Sequence, residues 1–465
     1  LEVAALQKML QRFNSQEYRT RLKEEFRLLM NIGFPVIIGN LLQTSMSVVD
    51  TVMSGNLSPR DLAAVAVGGS LFMPVFILGA GILMAVSPIV AQHFGSRNFS
   101  LIGKTTRQSM WLAAIISIPA IIILRNMGPV LEILDVEPEI IPLTLGYMDG
   151  ITWGIFSLYL YLALRYFNEG ISVTKPAMYI AFIGLLFNIF WNYTLMYGKF
   201  GFPQMGAVGT GYSTAIVMNV MFVSLFVYTY SNKSFKRFEI FQNLKLPEKK
   251  YIFELIRIGV PIGISMCMEV TMFAVVALIM GSLGTYAVAG HQIAINIASV
   301  TFMIAFGLSA AITVRVGQTM GRSGPREARF SGIVGVVIAA MFMTLTALFM
   351  SIFPGFLTGL YTDDIELQNL AIQLIYMAAI FQISDGLQVS GLGALRGLKD
   401  TRIPMYVNLI AYWIIGLPLG YLLGITLDWG PQGLWIGLIA GLTVAGILHN
   451  WRFNVLSRKM IRGTI

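Results

Sequence analysis

Residues 411–425 read AYWIIGLPLGYLLGI and contain no charged side chain. The stretch is apolar on every face, whether wound at 3.6 residues per turn or extended at two. A transmembrane β-strand would alternate polar and apolar side chains over about ten residues, so a β-barrel is disfavoured. A helix that is apolar all round belongs in a buried core or in a bilayer. Composition decides between these. Of 465 residues, 56% are hydrophobic and 12% are charged, and the mean hydropathy is +0.73. A soluble protein carries about 25% charged residues. At about 20 residues per membrane helix plus connections, a chain of this length holds about twelve spans.

Working outward from 411–425, apolar windows fall at 30–53, 63–92, 108–124, 141–163, 177–197, 207–230, 255–280, 286–314, 331–353, 368–394, 404–424 and 433–451. Of the 32 Lys and Arg residues, only Arg60, Arg125 and Lys199 fall in the odd-numbered connections. The others lie in the N-terminal segment, the even-numbered connections or the C-terminus. Basic residues concentrate on the cytoplasmic side of membrane proteins, so both termini are expected in the cytoplasm. The segment QKMLQRFNSQEYRTRLKEEFRLLM (7–30) reads as a charged amphipathic helix entering the first span, not as a cleavable signal peptide.

The longest internal polar stretch, YSNKSFKRFEIFQNLKLPEKKYIFEL (230–255), carries six Lys and Arg from Lys233 to Lys250 and separates two related halves. NIGFP (31–35) matches RIGVP (257–261) at an offset of 226. Gly55 with Leu57, and Gln92 with Gly95, recur at the same offset as Gly281 with Leu283 and Gln318 with Gly321. Ala163-Leu164-Arg165 recurs as Ala394-Leu395-Arg396 at 231, and Pro176 and Tyr193 recur as Pro404 and Tyr421 at 228. Six spans per half is an even number, so the repeats run parallel. The fold expected is all-α and integral to the membrane, with twelve transmembrane helices in two six-helix bundles. The expected divisions are an N-terminal segment (1–29), a first lobe (30–230), a linker (231–254), a second lobe (255–451) and a C-terminal tail (452–465). Parallel repeats place a substrate cavity between the bundles, with rocking as the access motion.

The formal charge of +9 is explained by its placement at the membrane surface, so no nucleic-acid partner is expected. Cys267, the one cysteine, lies in an apolar run, which excludes an internal disulfide or a cysteine metal cluster. His93, His291 and His449 lack metal-ligand spacing and form no catalytic constellation. No Walker A motif is present, so the chain carries no ATPase of its own.

Ionisable groups inside spans are costly and point to function. Four acids fall there: Asp50, Asp149, Glu269 and Asp385. No Lys or Arg lies in those four spans away from their ends, so the acids are expected to be protonated, to bind a cation, or to face water. Burial favours the neutral carboxyl, which suits a proton carrier. Converging carboxylate, amide and carbonyl oxygens suit a hard cation. In NIFWNY, Asn188 and Asn192 share one helix face at i, i+4. Asp149, without polar neighbours at helical spacing, suits a peripheral role better. The repeat counterparts are Val276 for Asp50, Gln43 for Glu269, Gly154 for Asp385, and Gly416 and Gly420 for the two asparagines. Scaffold positions recur and polar ones do not, so each half is expected to have its own polar site. Aromatic and Met side chains could line a cavity for flat organic cations.

The stretches VVDTVMSG, VTKPAMYIAFIGLLFNIFWNYTLMYGKFG, MEVTMFAVVALIM, VAGHQIAIN, ITVRVGQTMG and GALRGLKDT together resemble the NorM branch of the MATE (multidrug and toxic compound extrusion) transporters, over about residues 20–450. The resemblance implies a monomeric twelve-helix exporter of the bacterial inner membrane. It would expel cationic and amphipathic compounds against inward Na⁺ or H⁺, with no other cofactor and no enzymatic activity. It also implies that Glu269 and Asp385 form a second-lobe cation site, that Asp50, Asn188 and Asn192 form a first-lobe site, and that Asp364 lies near substrate. Some relatives have a Tyr four residues before the second-lobe Asp. This chain has Phe381, which removes a phenolic oxygen from any Na⁺ site there. Alternative readings are a lipid-linked-precursor flippase, which would need a basic cavity, a dedicated natural-product exporter on the same architecture, or a channel.

Overall fold

The structure, a computed structural model, describes residues 16–242 and 246–464. Residues 1–15 of the expected N-terminal amphipathic segment and 243–245 of the linker lie outside the described residues. The first half consists of α1 (Gln16–Leu57), α2 (Pro59–Met84), α3 (Val86–Gly95), α4 (Phe99–Arg125), α5 (Gly128–Ile133), α6 (Ile141–Gly170), α7 (Lys175–Met196) and α8 (Gly206–Ser231). The second consists of α9 (Lys249–Ser282), α10 (Thr285–Ser323), α11 (Pro325–Ile352), α12 (Pro354–Gly359), α13 (Ile365–Gly397), α14 (Arg402–Thr426) and α15 (Gly430–Ile461). No strand occurs among the described residues.

Eleven helical segments among the described residues are long and apolar enough to cross a membrane, with α2 and α3 counted as one. The twelfth span is α6, 30 residues long, whose apolar run is diluted by Tyr147, Asp149, Thr152 and Trp153. Each half therefore holds six spans. The helices overrun the apolar windows: α1 starts well before residue 30, and α6 and α13 continue through Arg165 and Arg396. The short helices α5 and α12 begin 226 residues apart, extending the repeat to the connections.

The 411–425 stretch lies in α14, which is π-helical over Leu409–Gly416 and again over Leu422–Thr426. Pro418 has no N–H and its ring collides with a carbonyl one turn earlier in a regular helix. Widening the preceding turns relieves that collision. Glycines at 416, 420 and 424 meet glycines at 441, 437 and 433 of α15 in antiparallel register, and a Cβ at Gly437 or Gly433 would overlap the α14 backbone. Small residues that let two backbones touch are the usual means of tight helix association in lipid.

The linker is not a free tether over its described part. Phe235 and Phe238, in the 3₁₀ turn Lys233–Phe238, are buried and pack edge-on against Phe167 of α6. Arg107 of α4 donates to the Glu239 carbonyl.

The halves meet on the side rich in Lys and Arg. There Leu29, Ile32, Ile37 and Ala91 share one apolar core with Leu308, Ala311, Ile312, Leu395 and Phe453. The contact is reciprocal, as the repeat requires. A Cβ on Gly95 would overlap the Gln318 carbonyl, and one on Gly321 would overlap the Gln92 carbonyl. Gln92 Nε2 donates to the Gly397 carbonyl (2.8 Å), and Gln318 Nε2 donates to that of Gly170 (2.9 Å). Arg315 of α10 holds Glu25 of α1 through two bonds, Nε–Oε1 at 2.9 Å and Nη2–Oε2 at 2.6 Å. Nearer mid-span, Cys267 Sγ lies 3.9 Å from the Pro74 carbonyl. Arg21 of α1 and Glu327 of α11 pair at 2.6 Å on the basic side as well.

Candidate functional site

In the first half, α1 carries Asp50 and α7 carries Asn188 and Asn192. All three are buried. The i, i+4 spacing puts both amides on the α7 face that packs on α1. Asn188 Nδ2 donates to Asp50 Oδ1 at 2.9 Å and Asn192 Nδ2 donates to the same oxygen at 2.6 Å. Asn192 Oδ1 has no partner. The carboxylate is thus held by two neutral donors, with no base in contact. The donor set offers carboxylate and amide oxygens, which fits a hard monovalent cation or a proton.

In the second half, Asp385 on α13 is buried and Glu269 on α9 is half-buried, within electrostatic reach of it. Asp385 Oδ1 has no partner. Phe381, at the position where some relatives have a Tyr, is buried edge-on between Phe273 and Trp435. A phenol nevertheless enters the cluster from another helix. Tyr412, fully buried in the first π-helical segment of α14, accepts from Gln388 Nε2 at 2.7 Å and lies within electrostatic reach of Glu269 and Asp385. π-Helical turns are frequent at functional sites. Neither Tyr412 nor Gln388 was expected from the sequence. The usable signal was Pro418 with Gly416, Gly420 and Gly424 in one otherwise apolar span.

The base nearest to these acids stands at the end of a span. Arg396, buried near the end of α13, is within electrostatic reach of Glu269. The apolar window ends at residue 394, and the helix runs on to Gly397. The repeat gives the physical logic. In the first half, Arg165 donates to Glu169 Oε1 (2.8 Å), Gln43 Oε1 (3.0 Å) and Asn40 Oδ1 (2.6 Å). At the offset of 231 the counterpart of Glu169 is Asp400, which instead pairs with Arg452 at 2.8 Å. Glu269 stands at the Gln43 position. The acid that hydrogen-bonds the arginine in the first half is on the same helix, whereas the acid within electrostatic reach of Arg396 in the second half is on a neighbouring helix.

Two further acids lie apart from these clusters. Asp149 is exposed and ion-paired with Arg125 at 3.3 Å, and its carbonyl accepts from Thr152 Oγ1 at 2.6 Å. The expectation that it lacks polar neighbours is therefore corrected. Asp364 is the exposed N-cap of α13. Its Oδ1 accepts from the Glu366 and Leu367 amides, and Oδ2 accepts from the Tyr286 hydroxyl at 3.0 Å. The Leu367 amide, then the tyrosine, hold its carboxyl below the ordinary Asp range.

The MatE family model matches residues 35–194 and again 261–422, the same two halves the internal repeat defines. The chain is 42% identical to "Multidrug resistance protein NorM" of Photobacterium profundum over 437 residues, covering 93% of this chain and 96% of that protein. It is 44% identical to "Multidrug resistance protein MdtK" of Proteus mirabilis over 442 residues, covering 94% and 96%. Among solved structures it is similar to the eukaryotic MATE transporter AtDTX14, with a TM-score of 0.86 at 20% identity over 96% of this chain and 100% of that one. A MATE protein in a bent conformation gives a TM-score of 0.87 at 20% identity, covering 94% and 97%. By the double family match and by its relatives over nearly its full length, this protein belongs to the MatE family.

Proposed function

We infer that this protein exports cationic and amphipathic organic compounds from the bacterial cytoplasm across the inner membrane, in exchange for inward Na⁺ or H⁺. Its relatives named as multidrug resistance proteins support the substrate class. The observation that carries the coupling is the pair of non-equivalent acid clusters, Asp50–Asn188–Asn192 in one half and Glu269–Asp385 in the other. Each lies in its own bundle, and the contacts that join the halves cluster on the basic side.

The basic side is taken as cytoplasmic, with both termini there, and a seam closed on that side suits an outward-facing state. External cations reach the acids, neutralise them, and lower their affinity for a cationic substrate, which leaves outward. Closure of the outer side and opening of the seam return the cations to the cytoplasm. The 1–29, 30–230, 231–254, 255–451 and 452–465 divisions are kept as the units of this two-lobe motion, and one chain is taken as the transporting unit. Asp364 caps the end of α13 away from the basic side, where it can attract cations, and its described partners include neither cluster.

Ethidium accumulation in proteoliposomes tests this reading, with a Na⁺ gradient and a pH gradient imposed separately. At least one gradient should drive accumulation, and Glu269→Gln should abolish it while the protein remains folded. Accumulation by the variant at the parent rate would remove Glu269 from coupling.

A further inference from the structure

Two short helices take no part in the scheme above. α5 (Gly128–Ile133) and α12 (Pro354–Gly359) follow the third span of their halves on the side away from the basic seam, 226 residues apart. Each keeps a small inner face buried, Leu131 in α5 and Leu357 with Thr358 in α12. Each turns larger apolar side chains outward. Val130, Ile133 and Leu134 share one face at i, i+3 and i+4, and Ile133 is 82% exposed. Phe353, Phe356 and Leu360 share another at i, i+3 and i+7, and Phe356 is 63% exposed. Exposed apolar patches at matching places in both halves mark a contact surface.

Span lengths put both helices at the membrane. A helix needs about 20 residues to cross a hydrocarbon core roughly 30 Å thick. Between Arg107 and Arg125, α4 has 17 residues without a charge, about 26 Å of helix. Arg125, paired with Asp149, therefore stands no farther out than the edge of the hydrocarbon, and α5 begins three residues later. In the second half the run without a charge is 330–362, or 33 residues. The α11 part of it, 330–352, already crosses the core. α12 is the surplus, and the first charges beyond it are Asp363 and Asp364.

The outward faces also continue surfaces that already face lipid. On α4, Ile115, Ile118 and Ile122 are exposed at helical spacing, and on α11 so are Met341, Leu345, Leu348 and Ile352. Backbone bonding carries on from α11 into α12, with the Phe353 amide donating to the Phe349 carbonyl at 3.0 Å and the Leu357 amide to that of Phe353 at 3.1 Å. We propose that α5 and α12 are interfacial feet, one per half, lying in the leaflet away from the basic side. Their apolar faces enter the lipid at the boundary between headgroups and acyl chains. The partner is the phospholipid bilayer, and each half has its own hold on that leaflet.

The flanking charges fit that depth. Glu132 lies off the apolar face of α5, and Asp135 and Asp363 follow the two feet; all three are exposed. Carboxylates at these places stay in water while the branched chains and rings beside them enter lipid. A second copy of the chain fits the faces less well. Three side chains present a few hundred Å² at most, against the roughly 800 Å² a side that a stable protein contact buries.

The test is spin labelling of the full chain in proteoliposomes, with Cys267 replaced by Ser. Nitroxides at Ile133→Cys and Phe356→Cys are compared with one at Ile118→Cys, within a span, and one at Glu137→Cys, in the connection after α5. All four side chains are exposed, so no label has to enter the core. Collisions with oxygen, which concentrates in lipid, and with a neutral nickel chelate, which stays in water, distinguish the surroundings. At both feet the ratio of oxygen to nickel accessibility should be at least about fivefold that at Glu137→Cys. A smaller ratio at either foot puts that foot in water and overturns the proposal. Loss of both kinds of collision, each at least about tenfold below the more accessible of the two reference sites, means that protein covers the face. A second copy is then the partner, and the lipid contact is overturned.

Discussion

The Glu25–Arg315 pair tests whether the basic-side seam is held by specific contacts. Both side chains are nearly buried, at 8% and 13% exposure, and they are joined through two hydrogen bonds. Glu25→Gln leaves the guanidinium in place without its counter-charge. Removing one member of a buried pair costs about 3–5 kcal/mol, because the remaining charge stays desolvated. When the seam opens, Arg315 reaches water and that penalty disappears. The substitution therefore destabilises only the closed state. Taking the lower figure of about 3 kcal/mol, at about 1.4 kcal/mol per tenfold, the open population rises roughly 100-fold.

The assay is maleimide labelling of a seam cysteine in protein whose Cys267 is replaced by Ser. Ala311→Cys is suitable, because Ala311 is fully buried and faces Gly33, which has no side chain to obstruct a sulfur. Labelling should accelerate by up to about two orders of magnitude in Glu25→Gln and return towards the parent rate in the charge-swapped Glu25→Arg/Arg315→Glu. A cysteine at Ala163, in the core of the first half, should stay unlabelled, which separates opening from unfolding. A Glu25→Gln rate within twofold of the parent refutes the argument.

Gly437→Ala should lower the thermal midpoint in detergent, because its Cβ meets the Gly420 and Gly416 backbone, which cannot rotate away; overpacking of this kind costs about 1–3 kcal/mol. Gly69→Ala, with open space around its Cβ, should be neutral or slightly stabilising, and equal midpoints for the two would refute the zipper. Asp364→Ala should speed hydrogen exchange at the Glu366 and Leu367 amides, while Asp364→Asn retains most of the protection. Because the carboxyl's pKa is lowered in the fold, the cap's contribution is complete above the ordinary Asp range and is lost as pH falls through the lowered value. Protection lost on raising the pH would contradict this.

Much of this architecture can be read from the residues alone. Spans such as 411–425 are recognisable because lipid demands side chains apolar on every face, and the repeat is visible because packing glycines and prolines recur at one offset. The first-half site was legible for a local reason, since Asn188 and Asn192 share a helix face whatever α7 packs against. The second-half site was only half legible. Glu269 and Asp385 stand out as acids in apolar runs, but Tyr412, Gln388 and Arg396 look ordinary until three helices are brought together. Arg396 had a signal in the shared Ala-Leu-Arg, which marked the position as scaffold and hid the change in its acidic neighbour from Glu169 to Glu269. The seam was legible as matched pairs, Gln92 with Gln318 and Gly95 with Gly321. That each pair member packs against the other half is a property of the assembled fold.

The central claim is that two unlike acid sites, one per half, both couple export to an inward cation. Its most direct test is gradient-driven ethidium transport in proteoliposomes by wild type, Asp50→Asn and Asp385→Asn, with ethidium affinity measured alongside. The account predicts that each single variant loses at least nine-tenths of driven transport while still binding dye. Driven transport at the wild-type rate in either variant would contradict it, by showing that the acid in that half is dispensable.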